Sequence, residues 1–313
     1  MKKHLYVAVT VFYCGIFGGA FGDELSTQIQ LTMSACSGIS DSMSDLKKMA
    51  GINTAITAVG TVAGGVALGT GVAKKNVDQE YQAELDKLRA KKSNVPIEML
   101  EIEDKTKFDQ DIENAIKQAS NNLSENEKRV AELEKKSKTL GRIRTGTLAT
   151  SAVADTAGTI IALNNKVDDD LQSRINNCVA EVKKLQNIKT QSQFENSSDS
   201  ATINKANAII RECRDWEYTD LSSINKKAKG AAISSGTGAA LAIVGTITSA
   251  SANSDSVRKN ENKDKEKSLN TASNILAGGA TGASAIATIF NATQISAIKK
   301  AVKIADKCEE ALR

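Results

Sequence analysis

The sequence predicts an all-α protein of two duplicated, disulfide-clamped antiparallel helical hairpins with Gly/Ala-rich helices, the first carrying a coiled-coil-like arm. Three observations lead there. Pro96 is the only proline in 313 residues and aromatic residues make up 4 %, so helix breakers and bulky strand formers are both scarce. Apolar residues recur at three- and four-residue spacing, with almost no strand-type alternation. Four stretches rich in glycine, alanine, serine and threonine are separated by charged or apolar-striped segments in an order that repeats once.

Residues 1–22 read as a secretory signal peptide: Lys2 and Lys3, then an apolar run, then Ala20 and Gly22 before Asp23. Cys14 follows Phe12 and Tyr13, which are too bulky for a lipoprotein cut. Loss of this segment removes His4, the only histidine, and lowers the formal net charge from +4 to +2. The expectation is an exported protein of the cell envelope or a secreted one. The near-neutral balance of interspersed charges argues against a nucleic-acid partner.

The first unit is expected over 23–185. Cys36, Ile39, Met43 and Leu46 form one helical stripe. The uncharged stretch 51–73, "GINTAITAVGTVAGGVALGTGVA", holds six glycines and seven Ile, Val or Leu, between Lys47/Lys48 and Lys74/Lys75. Residues 76–139 are highly charged, with a narrow stripe through Phe108, Ile112, Ala115, Ala119 and Leu123. They read as a hairpin arm turning at 93–96, with Ser124 and Glu127 as a capping box. A second small-residue stretch, 145–165, contains Asp155. Val167, Leu171, Ile175, Cys178, Val182 and Leu185 then mark an amphipathic helix.

Residues 186–202, rich in Ser, Asn and Gln, read as a linker, and 203–313 as the second unit. Ile209, Ile210, Cys213 and Trp216 are expected to start a helix, followed by small-residue stretches at 230–254 and 268–298 around a charged loop at 255–267. Ile298, Val302, Ala305, Cys308 and Leu312 end the chain as a stripe. The local likeness of "GTIIALN" (158–164) to "AIATIFN" (285–291) supports a duplication.

Cysteine spacing predicts connectivity. Each of the four cysteines lies 15 to 18 residues outside a small-residue stretch, about 22–27 Å along a helix. Antiparallel folding of each pair brings Cys36 to Cys178 and Cys213 to Cys308, one of three possible pairings; four buried free thiols are the alternative.

The small-residue stretches admit two uses. Gly60/Gly64 and Gly65/Gly69 are small-xxx-small pairs that let helix backbones approach, and glycine costs about 1 kcal/mol relative to alanine in a solvated helix. Such runs resemble, in composition, the glycine-zipper segments of bacterial envelope and pore-forming proteins. The lysine flanks favour helices packed in or on membrane lipid, with self-association. The wheel of 51–73 pulls towards a soluble bundle or a polar lumen, because Thr54, Thr57 and Thr61 lie opposite Ile52, Ile56, Val59, Val62 and Val66. The alternative function is a soluble scaffold that presents the 76–139 arm to a protein partner.

Catalytic chemistry is not expected. Without histidine beyond residue 22, no Ser-His-Asp or Cys-His site forms and no histidine metal ligand exists. The cysteines are too dispersed for a zinc knuckle. "VDDDL" (167–171) lacks the spacing of a calcium loop and reads as a solvated face. Residues 64–75 supply glycines and a lysine but no Ser or Thr after the lysine, as a phosphate loop needs. "ECRDWEY" (212–218) reads as a core aromatic beside a disulfide rather than a contact surface. No cofactor and no metal is expected.

Overall fold

The computed structural model describes residues 24–93, 105–195, 198–254 and 263–313. The expected signal peptide at 1–22, the expected turn beyond Ser93, most of the expected loop at 255–267 and the side chains of the 108–123 stripe lie outside the described residues. Among the described residues there is helix and no strand. The helices are α1 (Glu24–Cys36), α2 (Ile39–Ser93), α3 (Lys105–Asn164), α4 (Asp169–Glu195), α5 (Ser200–Cys213), a 3-10 turn (Arg214–Tyr218), α6 (Leu221–Ala252) and α7 (Lys263–Leu312).

Several local expectations change. The stripe from Cys36 to Leu46 is split between two helices. Gly38 adopts φ 69°, a left-handed conformation that suits glycine and separates α1 from α2. No helix begins at Ser124, because α3 runs through it unbroken. The expected linker is helical as far as Glu195. Cys213 ends α5 rather than starting a helix, and Trp216 is buried in the 3-10 turn. Asp199 and Asp220 supply the N-caps of α5 and α6 by accepting from Thr202 N and Ser223 N.

The chain divides into two compact units that interleave along the sequence, so the segments 23–185 and 203–313 each contribute to both. One unit takes the residues up to Ser40, Asp170–Thr219 and Ile304–Arg313. Its core is conventional: Leu25, Ile29, Leu171, Ile175, Val182, Leu185, Ile209 and Trp216 are buried.

The other unit, Asp41–Asp169 with Asp220–Lys303, is a four-helix bundle made by α2, α3, α6 and α7. Neighbours are fixed by hydrogen bonds: Ser151 Oγ donates to Gly60 O at 3.1 Å, Thr145 and Ser249 share a 2.8 Å bond, Ser273 Oγ donates to Gly245 O at 3.1 Å, and Asn53 Nδ2 donates to Asn291 Oδ1 at 2.9 Å. The cyclic order is therefore α2, α3, α6, α7. Buried positions along α7 step by four and three in alternation: Ser273, Ala277, Ala280, Ser284, Ala287, Asn291, Gln294 and Ile298. This seven-residue burial period keeps one seam facing the partners over many turns.

Small side chains occupy that seam because the backbones are close. A Cβ added to Gly60 would lie 2.6 Å from Asp155 Oδ1, one on Gly238 2.8 Å from Asp155 Oδ2, and one on Gly64 2.6 Å from Thr281 Oγ1. Gly65 and Gly69 differ: nothing lies within 4 Å of an added Cβ, so this pair takes no part in the packing of the bundle. Gly60→Ala and Gly238→Ala are expected to destabilise the bundle by about 1–3 kcal/mol through overpacking. Gly65→Ala is expected to be neutral or stabilising by up to about 1 kcal/mol. Thermal unfolding of the purified variants, followed by circular dichroism, checks the contrast.

Candidate functional site

The interior of the bundle is polar as well as small. Asn53, Thr57, Ser151, Asp155, Ser235, Ser249, Ser273, Ser284, Asn291 and Gln294 are all buried. Asn291 Nδ2 donates to Thr57 Oγ1 at 3.2 Å, and Gln294 Nε2 donates to Asn165 O at 2.7 Å. At the other end, Lys74 is buried and its Nζ lies 2.6 Å from Asp78 Oδ2 and 3.4 Å from Glu266 Oε1. Arg144, equally buried, donates to Asn270 O at 3.2 Å and Asn270 Oδ1 at 3.4 Å. Between the two ends lies an apolar closure of Ala67, Leu148 and Ala277, with Leu68 against it.

The central layer is Gly60, Asp155, Gly238 and Ser284. Ser284 Oγ lies 2.7 Å from Asp155 Oδ2, and Ser151 Oγ lies 3.3 Å from the same oxygen. The two glycines stand on diagonally opposite helices, and the space they leave lets Asp155 reach Ser284 across the bundle axis. Asp155 has no exposed surface, and its Oδ1 has no hydrogen-bond partner.

The exterior of the bundle is apolar. Ile52, Val59, Val62, Val66 and Val72 of α2 are exposed, as are Ile143, Val153, Ile160 and Leu163 of α3. Ile233, Ile243, Val244 and Ile247 of α6 and Ile275, Ile286 and Ile289 of α7 extend the pattern. On α2 and α3 this band spans 20 residues, about 30 Å of helix. Four helical segments are long and apolar enough to cross a membrane by length and composition. On the α2 wheel Thr57 faces inward, and the valines and Ile52 face outward.

Beyond the band, α2 and α3 continue as the charged arm. Arg129 pairs with Glu80 at 2.9 Å, which raises the guanidinium above its ordinary value, and Leu88 and Leu133 are buried. The carboxylates of "VDDDL" are exposed around the α4 N-terminus, where the helix dipole favours them; Val167 is buried and exchanges two hydrogen bonds with Asn225.

In the other unit, Cys36 bonds to Cys178 and Cys213 to Cys308. The fold also gathers cysteines that are dispersed in sequence: the Sγ atoms of Cys36, Cys178 and Cys308 lie within 4.8 Å of one another. As disulfides these sulfurs carry no thiolate for a metal ion. Hydrogen bonds from Lys184 and then Gln28 hold Glu181 below the usual carboxylate range. Its contribution is full above the ordinary carboxylate range and fades as pH falls through the lowered folded value.

Comparison with protein-family models, with curated proteins and with solved structures finds no match.

The adjacency of the two bridges yields a contrast. Cys213→Ser frees Cys308 beside the remaining bridge, so thiol–disulfide exchange is expected to give mixed linkages among Cys36, Cys178 and Cys308. Cys308→Ser is expected to leave Cys36–Cys178 intact. Non-reducing peptide mapping distinguishes the two. Loss of either native bridge is expected to cost roughly 4–5 kcal/mol in the chain-entropy limit.

Proposed function

We propose that the chain is a non-enzymatic exported envelope protein whose four small-residue helices span a membrane, with self-association in the bilayer part of the same role. The observation that carries it is the inverted bundle: valine and isoleucine outside, glycine, alanine, serine and asparagine inside. In water such a bundle would expose its apolar side chains and bury polar ones. In lipid the outward residues are solvated, and helix association relies on close packing and interhelical hydrogen bonds, worth about 0.6 kcal/mol each on average. The hydrocarbon core of a bilayer is about 30 Å thick, which fits the band on α2 and α3.

Connectivity supports one topology. The unit boundaries fall at Asp41, Asp169, Asp220 and Lys303. On this reading export of the N-terminus puts the cysteines on the oxidising side, where disulfides form. The two hairpins, α2–α3 and α6–α7, are on this reading a duplicated pair, and the arm is the surface offered to a protein partner.

Carbonate extraction of the expressed protein tests this directly, with the full chain expected in the membrane pellet; release into the supernatant would contradict a spanning bundle. Val153→Lys, near the middle of the band, is expected to cost about 2.5–3.5 kcal/mol of insertion and to shift protein out of the pellet. Phe194→Lys, in the disulfide-bonded unit, is expected to leave the fractionation unchanged.

A further inference from the structure

We propose that Asp155 is an intramembrane binding site for a single exchangeable proton, a use of the bundle interior that presupposes the spanning topology above. Asp155 lies near the middle of the outward apolar band on α3, about 18 Å along the helix from Ile143 and about 12 Å from Leu163. A carboxyl group at that depth is costly unless it has a partner or a task. Its surroundings are Gly60 of α2, Ser151 of its own helix, Gly238 of α6 and Ser284 of α7. None of these titrates or carries charge, so no counter-ion meets the carboxyl from any of the four helices.

The hydrogen inventory accommodates the neutral acid, and the missing counter-ion is what favours it. Ser151 Oγ lies within bonding distance of both Gly60 O (3.1 Å) and Asp155 Oδ2 (3.3 Å). Ser284 Oγ likewise reaches Ala280 O (2.9 Å) and Asp155 Oδ2 (2.7 Å). Each hydroxyl has one hydrogen. When both give it to the backbone carbonyls, the 2.7 Å contact needs a hydrogen from the carboxyl, and a protonated Oδ2 supplies it to Ser284 Oγ. All three hydrogens then have acceptors and no charge is left in the seam. The glycine layer leaves no room for a bulkier ligand: an added methyl at Gly60 or Gly238 would already collide with the carboxylate oxygens.

A route for exchange is present on one side. From Asp155 towards Asn165 the seam carries Ser235, Thr57, Asn53, Asn291 and Gln294, all buried. Four polar atoms along it lack a partner: Asp155 Oδ1, Ser235 Oγ, Asn53 Oδ1 and Gln294 Oε1. On the other side Ala67, Leu148 and Ala277 close the seam with apolar atoms. On the Asn165 side Ala162, Ala231 and Ala232, with Phe290 against them, are apolar too, and Asn53, bonded to Asn291, carries the polar line past them towards the end of α3.

Infrared difference spectra of the full chain in phospholipid vesicles, wild type minus Asp155→Asn, test this. Vesicle flotation of the same samples reports insertion separately. The expected result is a carboxylic-acid carbonyl band in the wild type at neutral pH, lost in the variant, that shifts when the vesicles are moved to D2O. Asp155→Ser, which repeats the residue type of Ser284 in the same layer, supplies the difference spectrum should Asn fail to fold. A carboxylate band instead, a carbonyl band unmoved by D2O, or its disappearance on adding sodium would each overturn the proposal.

Discussion

Close approach of four helix backbones around the layer of Gly60, Asp155, Gly238 and Ser284 is the constraint on which the rest of the bundle depends. Two glycines on opposite helices make the gap in which Asp155 and Ser284 meet. At this layer the helices leave no interior space for leucine-sized side chains; larger buried ones sit away from it, as Leu148 does beside Ala67 and Ala277, and Met43, Ile224 and Ile298 do nearer one end. Large apolar residues are thereby displaced to the outside. On the proposed reading lipid accepts them there, and buried hydroxyl and amide groups serve as the interhelical contacts. One geometric choice accounts for the glycine content, the polar seam and the exposed valines together.

The two units solve different problems. The one holding the cysteines buries Leu25, Ile175, Leu185, Ile209 and Trp216, the sort of core that water drives together, and adds two covalent bridges. Along its small-residue stretches the bundle buries mainly alanine, glycine, serine and asparagine. A single chain with two such cores is consistent with two solvents, an aqueous oxidising compartment for the first and lipid for the second. The charged arm at the far end of α2 and α3 returns to water-compatible chemistry, with Arg129 and Glu80 paired on its surface.

Much of this was legible in the sequence. Scarce proline and 3–4 spacing indicate helix, and the offsets of Cys36, Cys178, Cys213 and Cys308 from the small-residue stretches are enough to pair them. What was not legible is orientation. A wheel shows that Thr57 lies opposite Val59 and Val62, but hydropathy alone does not say which face turns inward when the solvent is unknown. Gly65 and Gly69 look the same as Gly60 and Gly64 on paper, yet only the latter pair meets another helix closely. Asp155 could be read as an interruption of an apolar run, because Ser284 and Gly238, which complete its surroundings, lie 129 and 83 positions later. The interleaved units escape a linear reading for the same reason: their defining contacts join residues far apart in the chain.

The central claim is that the valine and isoleucine face of the bundle meets lipid while the serine and asparagine face meets protein. Spin labels placed singly at Val59, Val62, Ile160 and Ile243 in the vesicle-reconstituted chain, and read for collision with oxygen and with a water-soluble nickel chelate, address it most directly. The account predicts high oxygen and low nickel accessibility at these four positions, strongest near the middle of the band. High nickel accessibility at Val62 and Ile160 would mean that this face meets water, and would contradict it.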